Sequence, residues 1–316
     1  MRKSEASGSY KIEWKIKVVQ ILLLLGTIYP TAAQVNGLKM YQGVYLDPVM
    51  VKDVQSGFDV RAFINRVKKD TTFYKAFRSL HLVGFTLYND IRVMNREGNS
   101  RAGLQSISRQ IISNHCRSMA HQNEKVQGDF YKPNRTYRYY TARLYDHLFF
   151  THGSVCNENN LVGNGVYKGS TKYEEQLRML IFNPGKRIYG IPGLGEQTAI
   201  FEEPWFGRYQ FYLSRTQWNG TDCYVFTAKP RKEWYKEAVI NELKTWFRVS
   251  DFAIVARDYS LSFHTWFYDF DVVMNVKLKP YQSYLLPYEV HYKGNWHVFT
   301  RPRENAEFTA IFTDFL

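Results

Sequence analysis

The chain has 316 residues, of which 45% are hydrophobic, 22% charged and 17% aromatic. This apolar content excludes an intrinsically disordered protein, and 20 Gly with 10 Pro exclude a collagen-like or low-complexity chain. Lys and Arg outnumber Asp and Glu by 42 to 29, and the single long apolar stretch excludes a multi-pass helical membrane protein.

The first 33 residues have the pattern of a secretory signal peptide. Three lysines between positions 11 and 17 precede an apolar run at 18–28, and small residues at 31–33 offer a cleavage site. The run is shorter than the ~20 residues that span a bilayer, so cleavage is favoured over an uncleaved anchor. The sequence therefore predicts an exported protein, periplasmic or at the cell surface, that is not integral to a membrane after cleavage.

The mature chain is expected to remain strongly basic. Residues 1–33 carry +3 of the total net charge of +13, which leaves +10. An exported protein with this charge can contact an anionic membrane surface or an acidic polysaccharide, and export argues against nucleic acid as a partner. The basic residues are dispersed along the chain, so a solvated basic surface is the simplest interpretation.

The N-terminal part of the mature chain predicts an arm, helices and a strand. Residues 34–57 show no clear period and predict an extended N-terminal arm. Apolar residues at helical spacing follow Asp59 and Asp70, so the segment 59–80 predicts one kinked helix or two short helices. A long strand is predicted over 82–93.

The middle of the chain is more ambiguous. Residues 99–128 are polar and predict a helix or a mobile insertion. Residues 130–150 are rich in tyrosine and predict two strands joined by a turn at Pro133-Asn134. Loops that contain Gly and Pro dominate the segment 153–200.

The last third predicts long antiparallel strands. Asn219-Gly220 is a strong hairpin signal between two strands. From His264 to Leu278, apolar and polar residues alternate, which predicts one long strand with His264 on its apolar face. A further hairpin is predicted around Lys293-Gly294-Asn295, and the last strand is predicted at 308–312.

These elements define the predicted fold class. About ten strands and one major helix occur without a strand-helix-strand rhythm, so neighbouring strands are expected to be antiparallel. The prediction is an α+β fold, mostly β: a large curled antiparallel sheet, or open half-barrel, with a helix that covers the concave face. Residues 58–316 are predicted to form a single domain with insertions near 99–128 and 153–200.

Four segments carry a resemblance to a known superfamily. They are Phe73–Phe77 (FYKAF), Tyr268–Val272 (YDFDV), Leu285–Tyr288 (LLPY) and Gly294–Trp296 (GNW). They resemble the bacterial outer-membrane lipoprotein carrier and lipoprotein-sorting superfamily, and the chain is also similar to secreted bacterial proteins on the same theme. The resemblance implies a half-barrel that binds an acyl chain or another apolar ligand.

The three cysteines are Cys116, Cys156 and Cys223. Export favours a disulfide, and an odd count leaves one thiol over unless it pairs between chains. The spacing leaves all three pairings open, and it does not match a zinc site.

The first functional hypothesis is a non-enzymatic protein that binds a lipid-like or other apolar ligand by burial, without a cofactor. An envelope or outer-membrane protein is an expected further partner. The ligand would lie in a trough between the predicted helix and the concave face of the sheet. The residues predicted to line this trough are aromatic or apolar and lie on the helix or the long strand: Phe63, Phe77, Trp266, Tyr268, Phe270 and Met274.

Two alternatives use other residues. One is a cell-surface or outer-membrane interaction module that binds protein or glycan. The other is a hydrolase that uses Asp269 and Asp271, which strand geometry places about 7 Å apart, although a solvated polar face explains the pair equally.

A metal site is a weaker hypothesis. The hairpin predicted around 293–295 sets His291 opposite His297, with Glu289 on the same face, so the three side chains are candidate ligands of a divalent ion. An exposed polar pair is the simpler interpretation.

Overall fold

The structure is a computed structural model that describes residues 39–41, 43–157, 179–189, 194–265, 268–298 and 301–316. The predicted signal peptide, part of the predicted arm and part of the 153–200 loops lie outside the described residues. The strands in the described ranges are β1 Lys39–Tyr41, β2 Val44–Leu46, β3 Phe85–Met94, β4 Ser100–Ser113, β5 Cys116–Gln127, β6 Ser154–Cys156, β7 Tyr209–Trp218, β8 Thr221–Pro230, β9 Ile240–Arg248, β10 Ile254–His264, β11 Tyr268–Tyr281, β12 Tyr284–Val298 and β13 Arg301–Thr313.

The helices in the same ranges are short. They are α1 Pro48–Gln55, α2 Val60–Lys69, α3 Thr72–Ser79, α4 Tyr140–Phe149 and α5 Trp205–Arg208, with single 3-10 turns at Leu80–Leu82 and Lys232–Trp234.

All thirteen described strands belong to one sheet, in the order β1-β2-β7-β8-β9-β10-β11-β12-β13-β3-β4-β5-β6. Neighbours are antiparallel except β2 and β7, which are parallel. The last strand, β13, lies between β12 and β3 and so joins the C-terminal strands to the strands β3 to β6. The sheet is open because β1 and β6 are its edges. The predicted α+β fold, mostly β, is confirmed.

The two faces of the sheet differ in polarity, as β11 illustrates. Phe270, Val272 and Met274 are almost fully buried, whereas the intervening Asp271 and Val273 are exposed. Alternation along a strand sends successive side chains to opposite faces, so this pattern defines a helix-covered face and an outer face. The helices pack on the first of these, and their side chains join those of the sheet in one apolar core.

The predicted helices at 59–80 form as two short helices, and aspartates set their boundaries. The Asp59 carboxylate accepts a hydrogen bond from the Ala62 amide at 2.9 Å and caps the start of α2. Asp70 ends α2, and its carboxylate accepts a hydrogen bond from the Thr72 amide at 3.0 Å at the start of α3. The two helices therefore form a pair whose link is Asp70–Thr71.

The prediction for 130–150 is correct for the turn and wrong for both strands. Tyr131 and Tyr137 form an isolated antiparallel bridge around the turn, but residues 140–149 are helix α4. The carboxylate of Glu304, on β13, accepts hydrogen bonds from the amides of Tyr140 and Thr141, both at 2.7 Å. An acceptor from a distant strand thus satisfies the first turn of α4, which no short-range pattern reveals.

Three other local predictions are wrong. Residues 99–128 form the long strands β4 and β5 and not a helix. The described part of 34–57 contains two short strands and helix α1 in place of an extended arm. Lys293-Gly294-Asn295 lies inside β12 and forms no hairpin. A Cβ at Gly294 would collide with the Tyr292 hydroxyl and the Trp296 indole, which explains a glycine within a strand.

The cysteine pairing that the sequence leaves open is resolved. Cys116 and Cys156 form a disulfide between neighbouring strands β5 and β6, with their Cα atoms 3.9 Å apart. Cys223 is a buried free cysteine, and burial raises the pKa of its thiol.

Among the described helices, none has the length and apolar character needed to cross a membrane.

Candidate functional site

Four of the six residues predicted to bind an apolar ligand meet in the core between the helices and the sheet. Phe63, Phe77, Phe270 and Met274 are 3%, 5%, 1% and 0% exposed and belong to the same apolar cluster. Trp266 lies outside the described residues. Of Tyr268 only the backbone is described, and it pairs with Val298 at the end of β11.

Phe63 anchors α2 to the sheet. Its ring lies 5.3 Å from that of Phe247 on β9 and 6.4 Å from that of Phe226 on β8. Val60 and Val67, one turn before and after it, are also buried. These three side chains form the apolar stripe that the helical spacing in the sequence predicts.

Phe77 anchors α3, but its aromatic partners lie within the helix layer. The ring lies 4.8 Å from Phe182, 5.5 Å from Phe73 and 6.5 Å from Phe149 of α4. Phe73 in turn contacts Tyr259 of β10 at 6.2 Å. The α2–α3 pair therefore covers β8, β9 and β10 through a small number of large rings.

A buried ion pair interrupts this apolar interface. Arg257, on the inner face of β10, is 5% exposed, and its guanidinium lies 3.5 Å from the carboxylate of Asp70 in the α2–α3 link. The guanidinium also donates to the Thr245 hydroxyl at 3.0 Å and lies 4.2 Å from the centre of the Phe73 ring. Burial lowers the pKa of Arg257, and the charge of Asp70 opposes that shift.

Lys186 adds a second cation beside the α2–α3 link. Its ammonium donates a hydrogen bond to the carbonyl of Lys68, in the last turn of α2. Burial lowers the pKa of Lys186, the charge of Asp70 raises it, and Arg257 lowers it further. Lys186 thus places a second, half-buried cation near the Asp70–Arg257 pair.

Helix α4 is held differently, by hydrogen bonds to a polar part of the helix-covered face. The Tyr145 hydroxyl donates to the side-chain oxygen of Asn89 on β3. The Asn89 amide nitrogen donates in turn to the hydroxyls of Ser106 and Ser108 on β4, both at 3.0 Å. Together with the Glu304 contacts, this network gives α4 directional bonds to β3 and β13 in addition to its ring contacts, whereas α2–α3 depends mainly on ring packing.

On the outer face, the two aspartates proposed for hydrolysis meet a histidine and an arginine. His264 Nδ1 lies 3.0 Å from Asp269 Oδ1, and its Nε2 lies 3.5 Å from Asp271 Oδ1. Arg303 donates to the other oxygen of Asp269. His264 is therefore exposed at the end of β10, in cross-strand register with Asp269, and the prediction that it lies on an apolar face is wrong.

These contacts bear on the proposed chemistry. A glycosidase needs one carboxyl group whose pKa is raised so that it can donate a proton. The hydrogen bond from Arg303 lowers the pKa of Asp269, and the bond from His264 adds to that effect although partial burial opposes it. The surroundings of Asp269 thus disfavour the general-acid role.

The proposed histidine pair does not form. His291 and His297 lie six positions apart on the same strand, a separation of about 20 Å at ~3.3 Å per residue. His291 bonds Glu289 at 2.7 Å and Thr309 at 3.1 Å, and His297 pairs in register with Asp269. The metal-site geometry proposed from the sequence is therefore wrong because the hairpin that it required is absent.

The Asp70–Arg257 pair is the feature that the sequence analysis missed. On β10, Arg257, Tyr259, Leu261 and Phe263 alternate with polar residues, so Arg257 occupies an inward position. A charged residue in phase with an apolar stripe was the available signal. Its partner, a helix-capping aspartate, could not be identified without the tertiary structure.

Comparison with known proteins gives structural matches alone. No family model matches the chain, and no curated protein matches it. One similar structure is described as an outer membrane lipoprotein-sorting protein domain from Vibrio parahaemolyticus, at 9% identity, covering 74% of this chain and 85% of that one, with a TM-score of 0.25.

Two further structures are similar at the same level. A DUF1329 family protein from Desulfovibrio piger shares 9% identity over 77% of this chain and 89% of its own, with a TM-score of 0.24. A LolA superfamily protein from Nitrosomonas europaea shares 8% identity over 78% and 91%, with a TM-score of 0.22. The matches include the superfamily that the sequence resembles. TM-scores of this size carry no argument about function, so the fold assignment rests on the strand order and register of this chain.

Proposed function

We propose that this chain is an exported, non-enzymatic protein that binds a lipid-like or other apolar ligand between the α2–α3 pair and the sheet. The observation that carries the proposal is the buried Asp70–Arg257 ion pair within an otherwise aromatic interface. The ligand would reach the face that bears Phe63, Phe77, Phe270 and Met274 when α2–α3 moves away.

A buried ion pair contributes little to holding the α2–α3 pair permanently on the sheet. Removal of two charges from water costs several kcal/mol, and well-packed apolar residues of similar volume are often equally or more stabilising. Lys186 increases that cost, because its half-buried ammonium bonds the Lys68 carbonyl close to the Asp70–Arg257 pair. An interface selected only for stability would be expected to be apolar here, so the pair is better explained by a cover that opens and closes.

The free energy needed to release α2 from the sheet is comparable to the free energy gained when an acyl chain takes its place. Helix α2 buries Val60, Phe63 and Val67. At about 1.5–3 kcal/mol for each large apolar side chain, release of the helix costs roughly 5–9 kcal/mol. A long acyl chain recovers about 0.8 kcal/mol for each buried methylene, so roughly ten methylenes offset that cost. A fatty acyl chain can therefore replace α2 on the sheet.

Export is part of the proposal. The N-terminal signal pattern supports it, and so does the Cys116–Cys156 disulfide, because disulfides persist in oxidising compartments. In the periplasm or at the cell surface, an apolar ligand must be shielded from water. Another component must also deliver the ligand to the protein and receive it afterwards. We therefore propose that an envelope protein or membrane surface delivers or receives the ligand.

The test replaces the ion pair by apolar residues of similar size. The double variant Asp70→Leu/Arg257→Met is expected to fold with a stability within about 1 kcal/mol of the wild type, because relief of the buried charges offsets the lost bond to the Thr72 amide. It should bind a fluorescent long-chain fatty acid at least about tenfold more weakly. The matched control is Lys229→Met/Glu242→Leu, which removes an exposed pair with a 3.2 Å separation. The control should bind the probe like the wild type.

Two outcomes would refute the proposal. One is a wild-type protein that does not bind the fatty acid. The other is unchanged binding by the folded double variant, since the ion pair would then have no part in ligand entry.

A further inference from the structure

A cleft of about 960 Å³ lies on the outer face, opposite the helices. The β3–β4 turn and the ends of β12 and β13 form its walls. Asn295 and His297 of β12 line it, while the alternating Trp296 is buried on the helix-covered face. The volume lies within the range of small-ligand sites, and the position makes the cleft independent of the proposed apolar site.

The cleft is positively charged. Arg96, Arg101 and Arg303 line it, and Glu97 is its one acidic lining residue among those described. No ion pair joins Arg96 or Arg101 to any residue that the structure describes. Glu97 accepts a hydrogen bond from the Asn95 amide at 3.0 Å. Two guanidinium groups are thus available to an anion.

The third arginine is fixed in position. Arg303 donates to Asn295 Oδ1 at 2.9 Å and to the carboxylate of Asp269. The planar guanidinium has five N–H donors, so these two bonds leave donors for a ligand. Guanidinium groups bind carboxylate and phosphate oxygens through paired hydrogen bonds, which makes an oxyanion the favoured ligand group.

Amide side chains form a row beside the arginines. Asn295 pairs in register with Asn305 on β13, and Asn305 pairs with Met94, the residue before Asn95. Adjacent strands lie about 4.8 Å apart, so Asn295 and Asn305 lie side by side, whereas both ends of the Asn95 amide bond within the β3–β4 turn. An amide both donates and accepts hydrogen bonds, which suits the hydroxyl groups of a sugar.

We propose that the outer-face cleft binds an acidic saccharide, with the arginines on its carboxylate or phosphate groups and the amides on its hydroxyls. The same chemistry occurs in a free acidic glycan and in a sugar or phosphate headgroup of a lipid. The exposed position on the face away from the apolar core favours the free glycan.

The test uses the full exported chain and calorimetric titration with an oligogalacturonate. Arg96→Gln/Arg101→Gln should weaken binding at least about tenfold, because two charge-assisted contacts are lost. The control Arg61→Gln/Arg109→Gln removes the same charge from exposed sites outside the cleft and should retain wild-type affinity. Asn295→Ala/Asn305→Ala should weaken the saccharide more than inorganic phosphate.

Three results would overturn the proposal. The first is no binding of the oligogalacturonate by the wild type. The second is equal weakening by the cleft and control variants, which would assign binding to overall charge. The third is cleft-dependent binding of phosphatidylglycerol vesicles in preference to the oligosaccharide, which would assign the cleft to a lipid headgroup.

Discussion

Replacement of Phe63 by alanine tests whether α2 covers the sheet. The ring is 3% exposed and lies 5.3–6.4 Å from the rings of Phe58, Tyr224, Phe226, Phe247 and Phe252. Truncation of a buried phenylalanine costs about 3–5 kcal/mol, and lost ring pairs add to that cost. Because five rings surround this one, we expect a loss of about 4 kcal/mol in the free energy of unfolding.

Urea unfolding followed by tryptophan fluorescence measures this loss, and the dependence on urea concentration should stay unchanged. The control is Tyr235→Ala, since Tyr235 is 59% exposed and should change stability by no more than about 0.5 kcal/mol. A loss below about 1 kcal/mol for Phe63→Ala would refute the reasoning, because α2 would then not be packed on the sheet in the free protein.

Three more predictions concern the disulfide, the α4 cap and the outer face. Reduction of Cys116–Cys156, which are 40 residues apart, should lower the free energy of unfolding by about 4 kcal/mol in urea titrations with and without reductant. Glu304→Gln should cost about 1–2 kcal/mol in the same assay, because α4 loses its anionic cap. Asp269→Asn should destabilise the protein at neutral pH. Its contacts with Arg303 lower the pKa of the folded carboxyl, so the deficit should persist above the unfolded pKa of about 3.9 and vanish as pH falls through the folded pKa. Unfolding titrations across that range check the sign.

The elements predicted correctly have one strong local period. Helix α2 follows the Asp59 cap, α3 begins two residues after Asp70, and the two helices present Phe63 and Phe77 at helical spacing. The strand predicted from His264 to Leu278 is not continuous, because His264 ends β10 and β11 begins at Tyr268. From Phe270 to Leu278, however, the buried positions of β11 are the predicted ones. In these segments, local preference and tertiary burial agree, so the sequence pattern is sufficient.

The missed strands lack a continuous apolar face. On β4, the inward residues Ser106, Ser108 and Gln110 are polar, and each is satisfied by tertiary hydrogen bonds. Most of β5 is exposed. No period-two hydrophobic signal exists there, and the partners that make these strands stable are distant in the sequence.

The error at Gly294 has a similar cause. Glycine followed by asparagine indicates a turn when only local preference is considered. Here Tyr292 and Trp296 occupy the space above Gly294, and the indole N–H of Trp296 donates to the Tyr292 hydroxyl. The glycine serves side-chain packing, which only the tertiary structure reveals. The false hairpin in turn produced the false His291–His297 pair.

Native mass spectrometry of the chain purified from an exporting host, followed by organic extraction, tests whether the protein carries an apolar ligand. A near-stoichiometric apolar species should co-purify with the wild type and be depleted in Asp70→Leu/Arg257→Met. A wild-type protein that carries no apolar species, and that acquires none after incubation with long-chain fatty acid, would contradict the proposed binding of an apolar ligand.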